Sequence, residues 1–157
     1  MAKASKIPCL MTGLAIVDGL RLLRVARVAV NCTYYDTPWR DSFASFLKMC
    51  GFDTLHVSTL PDQGLVEPSA KMQDYGWSMT QELTRESILR TSKSCPDAEA
   101  MVVTGAGTRT LDILCEMEAQ IKIPLVAADT ILYWAIAWHL GLRLKPVMGS
   151  LSTLTAS

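Results

Sequence analysis

Two short segments of this 157-residue chain carry groups that can hold negatively charged oxygen. The first is Thr104-Gly105-Ala106-Gly107-Thr108-Arg109-Thr110. Its small residues let a backbone approach a ligand closely. If it opens a helix, its unpaired N–H groups lie at the positive end of the dipole, where a carboxylate or phosphate is favoured. The spacing is GxGxxT, short of the full dinucleotide fingerprint and without the lysine of a phosphate-binding P-loop. A tight turn that needs glycine for geometry alone is the plainer alternative. The second segment, Cys32-Thr33-Tyr34-Tyr35-Asp36, offers a thiol, a hydroxyl, two phenols and a carboxylate. A phenol, with an ordinary pKa of about 10, can donate a hydrogen bond to an oxyanion. Turn chemistry with Asp36 as a helix cap is the plainer reading here.

Other reactive side chains have simpler roles. Tyr133, Trp134 and Trp138 share a helical spacing that suits packing. His139 falls at a helix end and His56 in a strand, neither with an evident partner. Asp112, Glu116 and Glu118 suit a solvated helix face. The five cysteines, Cys9, Cys32, Cys50, Cys95 and Cys115, form no CxxC pair and have no histidine at metal-ligand spacing. Neither a zinc site nor a disulfide framework is indicated, and reduced thiols in a cytoplasmic protein are expected.

The elements that position these groups alternate between strand and helix. An amphipathic helix is expected from about Ile7 to Leu23. Strands are expected at Val28–Val30, Thr54–Val57, Ala100–Val103 and Pro124–Ala127. Pro38 marks the start of a helix with Phe43, Phe46, Leu47 and Cys50 inward, stopped by Gly51. Further helices are expected from Ser78 to Thr91, from Thr110 to Ala119, and from Ile131 to Leu140. The last is capped by Asp129 or Thr130 and ended by Gly141. Residues 58–75 read as loop, and the Gly/Ser/Thr-rich tail as frayed. This order predicts an α/β fold, a Rossmann-like parallel sheet flanked by helices. Ligands of such sheets bind at the carboxyl ends of the strands. That selects the loops 31–36, 104–109 and 127–130, and brings in Asp129.

The composition agrees with a folded core: half the residues are apolar, 19% are charged, and the formal net charge is zero. No basic stripe invites nucleic acid, and no apolar run suits a membrane span.

The run Met101 to Ile113 resembles the second active-site motif of the aspartate/glutamate racemase superfamily, which includes maleate cis-trans isomerases, arylmalonate decarboxylases and hydantoin racemases. Arg27 to Tyr34 is similar to that family's strand leading to an active-site tyrosine. Pro124 to Thr130, with Trp134 after it, resembles the following strand and helix, and Thr12 to Leu23 the helix before the interlobe strand. The likeness covers about residues 10–152, with decarboxylase-like and isomerase-like members nearest.

The resemblance implies two α/β lobes with the site between them, no cofactor, and proton or carboxylate transfer at a carbon beside a carboxylate. An enediolate-like species would be held by backbone N–H groups and hydroxyls while a thiol delivers the proton. Carried onto this chain, Tyr34, Thr33, Thr104, Ala106, Gly107 and Asp129 would bind a small carboxylate substrate. The family's second cysteine falls on Gly105, so that proton donor is missing; Cys32 is a displaced alternative thiol. The chain starts near the end of the family's first lobe, whose motif has no counterpart here. The expected organisation is a helical segment at 1–24, an α/β lobe at 25–123, and a segment at 124–157 that packs toward the absent lobe. Either the chain is truncated or a homodimer or second chain completes the cleft. A non-catalytic carboxylate-binding homologue and a nucleotide-phosphate module are the rival readings.

Overall fold

The computed structural model describes residues 9–75 and 78–154. Four strands, β1 (Arg27–Asn31), β2 (Asp53–Ser58), β3 (Ala100–Val103) and β4 (Leu125–Ala127), form one sheet in the order β2-β1-β3-β4. Every pairing is parallel, with Val30 beside Val102 and Val102 beside Val126. The central strands are apolar along their length because both faces of the sheet are covered. Val28, Val30, Ala100, Val102 and Val126 point into one layer; Ala29, Met101, Val103, Leu125 and Ala127 point into the other.

The first layer holds α1 (Thr12–Leu22), α2 (Thr37–Met49) and α6 (Ala128–His139). Ile16, Leu20, Leu47 and Ile131 are fully buried there, and each such side chain stabilises by about 1.5–3 kcal/mol. α1 and α6 pack closely because Gly19 leaves room for Ile131; a Cβ at Gly19 would lie 2.6 Å from Ile131 Cδ1. The second layer holds α4 (Gln81–Ser94) and α5 (Leu114–Ile121), with Ile88, Leu114 and Met117 inward. A short helix, α3 (Met72–Tyr75), interrupts the loop that follows β2.

Several boundaries follow local chemistry. Asp36 caps α2 by accepting from the Trp39 N–H at 3.0 Å, Pro38 sits in the first turn, and Gly51 leaves the helix at a φ of 94°. Thr80 caps α4 through the Leu83 N–H, so the helix expected from Ser78 starts at Gln81 and runs on to Ser94. α1 starts at Thr12, and the part expected before Cys9 lies outside the described residues.

Three expectations are corrected. The helix expected over 110–119 is broken: two 3₁₀ turns, Ala106–Thr108 and Thr110–Asp112, precede α5, because Arg109 takes a left-handed φ of 51°. α6 starts at Ala128 rather than Ile131, and neither Asp129 nor Thr130 is its cap residue. The tail does not fray over Pro146–Thr153. It forms 3₁₀ turns that bury Met148 and Leu151, kinked at Gly149 (φ 54°). Glu118 fixes this piece by accepting from the Ser150 N–H with one oxygen and the Leu125 N–H with the other, each at 2.8 Å. No helix among the described residues is long and apolar enough to cross a membrane.

Candidate active site

The chain leaves β1 toward β2 on one side of the sheet and resumes at β3 on the other. That reversal lies between β1 and β3, and open parallel sheets bind ligands at the carboxyl ends of the strands flanking such a point. The two chemistry-bearing segments therefore meet in space, although they stand some seventy residues apart in sequence.

After β1 the backbone turns sharply. Thr33 adopts a φ of 48°, unusual for a β-branched residue and costing about 1–3 kcal/mol. Three bonds hold it: its N–H donates to Asn31 Oδ1 at 2.9 Å, its hydroxyl to the Thr104 carbonyl at 2.9 Å, and its carbonyl accepts from the Leu60 N–H at 2.8 Å. Asn31 is in turn set by donation to Ser87 Oγ at 2.7 Å, and Ser87 donates to Gln63 Oε1 at 2.7 Å. The turn carries Tyr34 across the gap to the loop after β3.

There Gly105 takes a φ of 88° and has no side chain, and the Tyr34 ring enters the space this leaves. A Cβ on Gly105 would lie 2.7 Å from both the ring Cζ and the phenol oxygen. Tyr34 Oη accepts from the Gly107 N–H at 3.4 Å. The Ala106 N–H opens a 3₁₀ turn, so it lies outside the turn's own hydrogen bonding. Thr108 closes the loop by donating its hydroxyl to the Gly105 carbonyl at 2.7 Å. The loop does not open an α-helix as expected; α5 begins only at Leu114. The polar groups on this loop are local amides and the Tyr34 phenol, without a helix dipole. That removes the phosphate-cradle geometry on which the nucleotide reading rested.

The remaining expected site residues divide clearly. Ala106 is exposed and Thr104 lines the same groove as Gly105. Thr33 is fully buried with its hydroxyl occupied, so its role is to shape the turn. Asp129 accepts from both the N–H and the hydroxyl of Thr110, which ties the 3₁₀ turn to α6 and leaves it a brace rather than a ligand. Cys32 is fully buried, and loss of solvation pushes its thiol up to about 12. Shut off from the groove, it cannot reach a substrate carbon there, so the displaced-thiol expectation is set aside.

Beside Gly105 runs an open groove of about 430 Å³, almost wholly apolar. Met11, just before α1, and Leu14 within it form one wall; Tyr35, Trp39, Phe43 and Phe46 form the other. The aromatic wall is a ladder: Tyr35 stacks on Trp39 at 3.8 Å, and Trp39 on Phe43 at 5.0 Å. Burial raises the Tyr35 pKa, with Tyr34 adding to the shift, so its phenol stays protonated. Trp39 and Tyr35 were not singled out as groove residues in the sequence. The signal was the four-residue spacing of Tyr35, Trp39 and Phe43, which places all three on one stripe. No group of three or more potential metal ligands occurs among the described residues.

The family model for arylmalonate decarboxylase matches residues 1–151. An arylmalonate decarboxylase from Bordetella bronchiseptica is 28% identical over 134 residues, which is 85% of this chain and 52% of that protein. A crystal structure of arylmalonate decarboxylase superposes with a TM-score of 0.82 at 24% identity, over 98% of this chain and 64% of that one. A maleate isomerase from Pseudomonas putida S16 gives a TM-score of 0.73 at 24% identity, over 92% and 54%. The chain thus spans about half the length of the curated relative it matches.

Proposed function

The chain belongs to the arylmalonate decarboxylase family, and we propose that it binds a small carboxylate at the Gly105–Gly107 loop and transforms the carbon beside it. The reaction class is decarboxylation, isomerisation or racemisation through an enediolate-like species without a cofactor. One observation carries this reading: at the switch point of the sheet, Thr104, Gly105 and Ala106 line an apolar groove, beside the point where the Gly107 N–H meets the Tyr34 phenol. Amide donors stabilise the oxygens of an enediolate more than those of the starting carboxylate, because charge builds on them as the reaction proceeds. The aromatic ladder favours a substrate with an apolar, ring-sized substituent over one with a second polar arm.

A panel containing phenylmalonate, maleate and aspartate, followed by proton NMR, tests this. Appearance of phenylacetate is the expected result; no change in any of the three discards the enzymatic reading. Gly105 favours one rival, because a glycine offers no acid at the loop. A carboxylate-binding homologue would show saturable binding of phenylacetate with no turnover of phenylmalonate. Since Met11 and Leu14 leave the groove's outer wall exposed, a second copy of the chain is proposed to complete it. Equilibrium sedimentation showing only monomer counts against that copy.

A further inference from the structure

Decarboxylation leaves an electron pair on carbon that must be met by a proton, and the mouth of the sheet holds few groups able to give one. Cys32 is fully buried. The hydroxyls of Thr33 and Thr108 donate to the Thr104 and Gly105 carbonyls. Thr104 is 2% exposed and its hydroxyl is directed at the Asn31 carbonyl. Tyr34 is set apart by its position. Its oxygen stands 2.7 Å from where a Gly105 side chain would begin, over the loop amides. In its bond to Gly107 that oxygen is the acceptor. Tyr35 lies beside it, ring centroids 5.0 Å apart.

We propose that Tyr34 is the proton donor of the reaction, its phenol occupying the space that the side chain of residue 105 would otherwise fill. This rests on the carboxylate-chemistry reading above and deepens it. In the step, the bond between the α-carbon and one carboxyl group breaks and carbon dioxide leaves without the bonding pair. The pair is held as the enediolate of the remaining carboxylate. The Tyr34 O–H bond then breaks, its proton forms a new C–H bond at the α-carbon, and a phenolate remains. Tyr35 donates to that phenolate, and a proton from water restores the phenol. The net change is consumption of one proton per carbon dioxide released, with no oxidant or reductant. Because Tyr34 reaches the loop from the β1 side only, the proton arrives on one face.

The test uses a malonate bearing one phenyl and one methyl group, whose product is chiral. The wild-type chain is compared with Tyr34→Phe, which keeps the ring and removes the oxygen. Phenylacetate binding is measured for both, as a check on folding and on carboxylate holding. Wild type is expected to yield one enantiomer. Tyr34→Phe is expected to turn over about 10²–10⁴-fold more slowly, as for loss of a general acid. Its phenylacetate affinity should stay within about tenfold, that is, within about 1.4 kcal/mol. Any residual product should be racemic, because water then protonates either face. A racemic wild-type product overturns the proposal without needing the variant. So does residual Tyr34→Phe product of one hand, unchanged turnover, or loss of phenylacetate binding together with turnover, which would make Tyr34 a holding group only. If wild type binds phenylacetate but releases no carbon dioxide, the donor assignment falls and the binding-protein reading stands. If it binds nothing, the carboxylate reading falls as well.

Discussion

A single methyl group added at Gly105 has two independent costs. The φ of 88° strains any L side chain, and the new Cβ meets the Tyr34 ring at 2.7 Å. Gly105→Ala is therefore expected to lose about 1–3 kcal/mol in urea unfolding. The same reasoning predicts that Gly105→Cys alone will not install a working thiol, since Tyr34 already fills the space that side chain needs. The strained turn at Thr33 makes a second prediction. Asn31→Ala removes the acceptor for the Thr33 N–H and the donor to Ser87, both buried. It is expected to cost about 2–3 kcal/mol. It should also slow turnover of phenylmalonate, because Tyr34 depends on that turn for its direction. Unchanged stability with unchanged turnover would show that the turn holds itself. At this scale the sequence displayed the residue types that the fold brings together, since Tyr34 and Gly105–Gly107 stood out by chemistry alone. It did not show that Thr33, Cys32 and Asp129 are turned inward. Their side chains are chemically competent, and only the surrounding contacts decide whether a competent group faces a ligand.

Between elements, two carboxylates act as clamps. Glu99 sits at the start of β3 and accepts from the Ala26 and Arg27 N–H groups at 2.7 and 3.0 Å, locking the start of β1 beside it. Those bonds and the Arg27 guanidinium hold its pKa down at about 2. A depressed carboxylate stabilises the fold while ionised, so the contribution is full above the ordinary value of 4.5 and disappears as pH falls toward about 2. The stability difference between wild type and Glu99→Gln should be flat above that range and shrink through it. A difference that grows on acidification would reverse the assignment. Glu118 joins α5 to both β4 and the C-terminal turns. Gly149→Ala would force a side chain against its carboxylate at a positive φ. Hydrogen exchange at Ser150 and Leu151 is expected to quicken while the sheet amides stay protected. The strand positions were legible from apolar runs, and the α2 boundaries from Asp36, Pro38 and Gly51. The clamped tail was not legible. Its Gly, Ser and Thr content reads as flexible until the partner carboxylate, more than thirty residues earlier, is placed beside it.

The whole molecule is one parallel sheet between two helical layers, and its protection should be uneven. Cys32 is fully buried at the centre, whereas Cys9 and Cys115 are exposed. A thiol reagent under native conditions is expected to modify Cys9 and Cys115 promptly and Cys32 only at the rate of global unfolding. Prompt modification of Cys32 would mean that the β1 end opens locally.

Alternation of strand and helix, the apolar central strands and the glycine-bearing loop were all readable from the chain, because periodicity and residue type are local properties. So was the family likeness, carried by the order of four such segments. What only the tertiary structure decided is the meeting of Tyr34 with Gly105. Neither residue determines it alone: it requires β1 and β3 to be neighbours, Thr33 to turn left-handed, and the glycine to leave its side-chain space empty. Contacts between residues distant in sequence depend on how the sheet is assembled, and a linear pattern carries no record of which strand ends face each other.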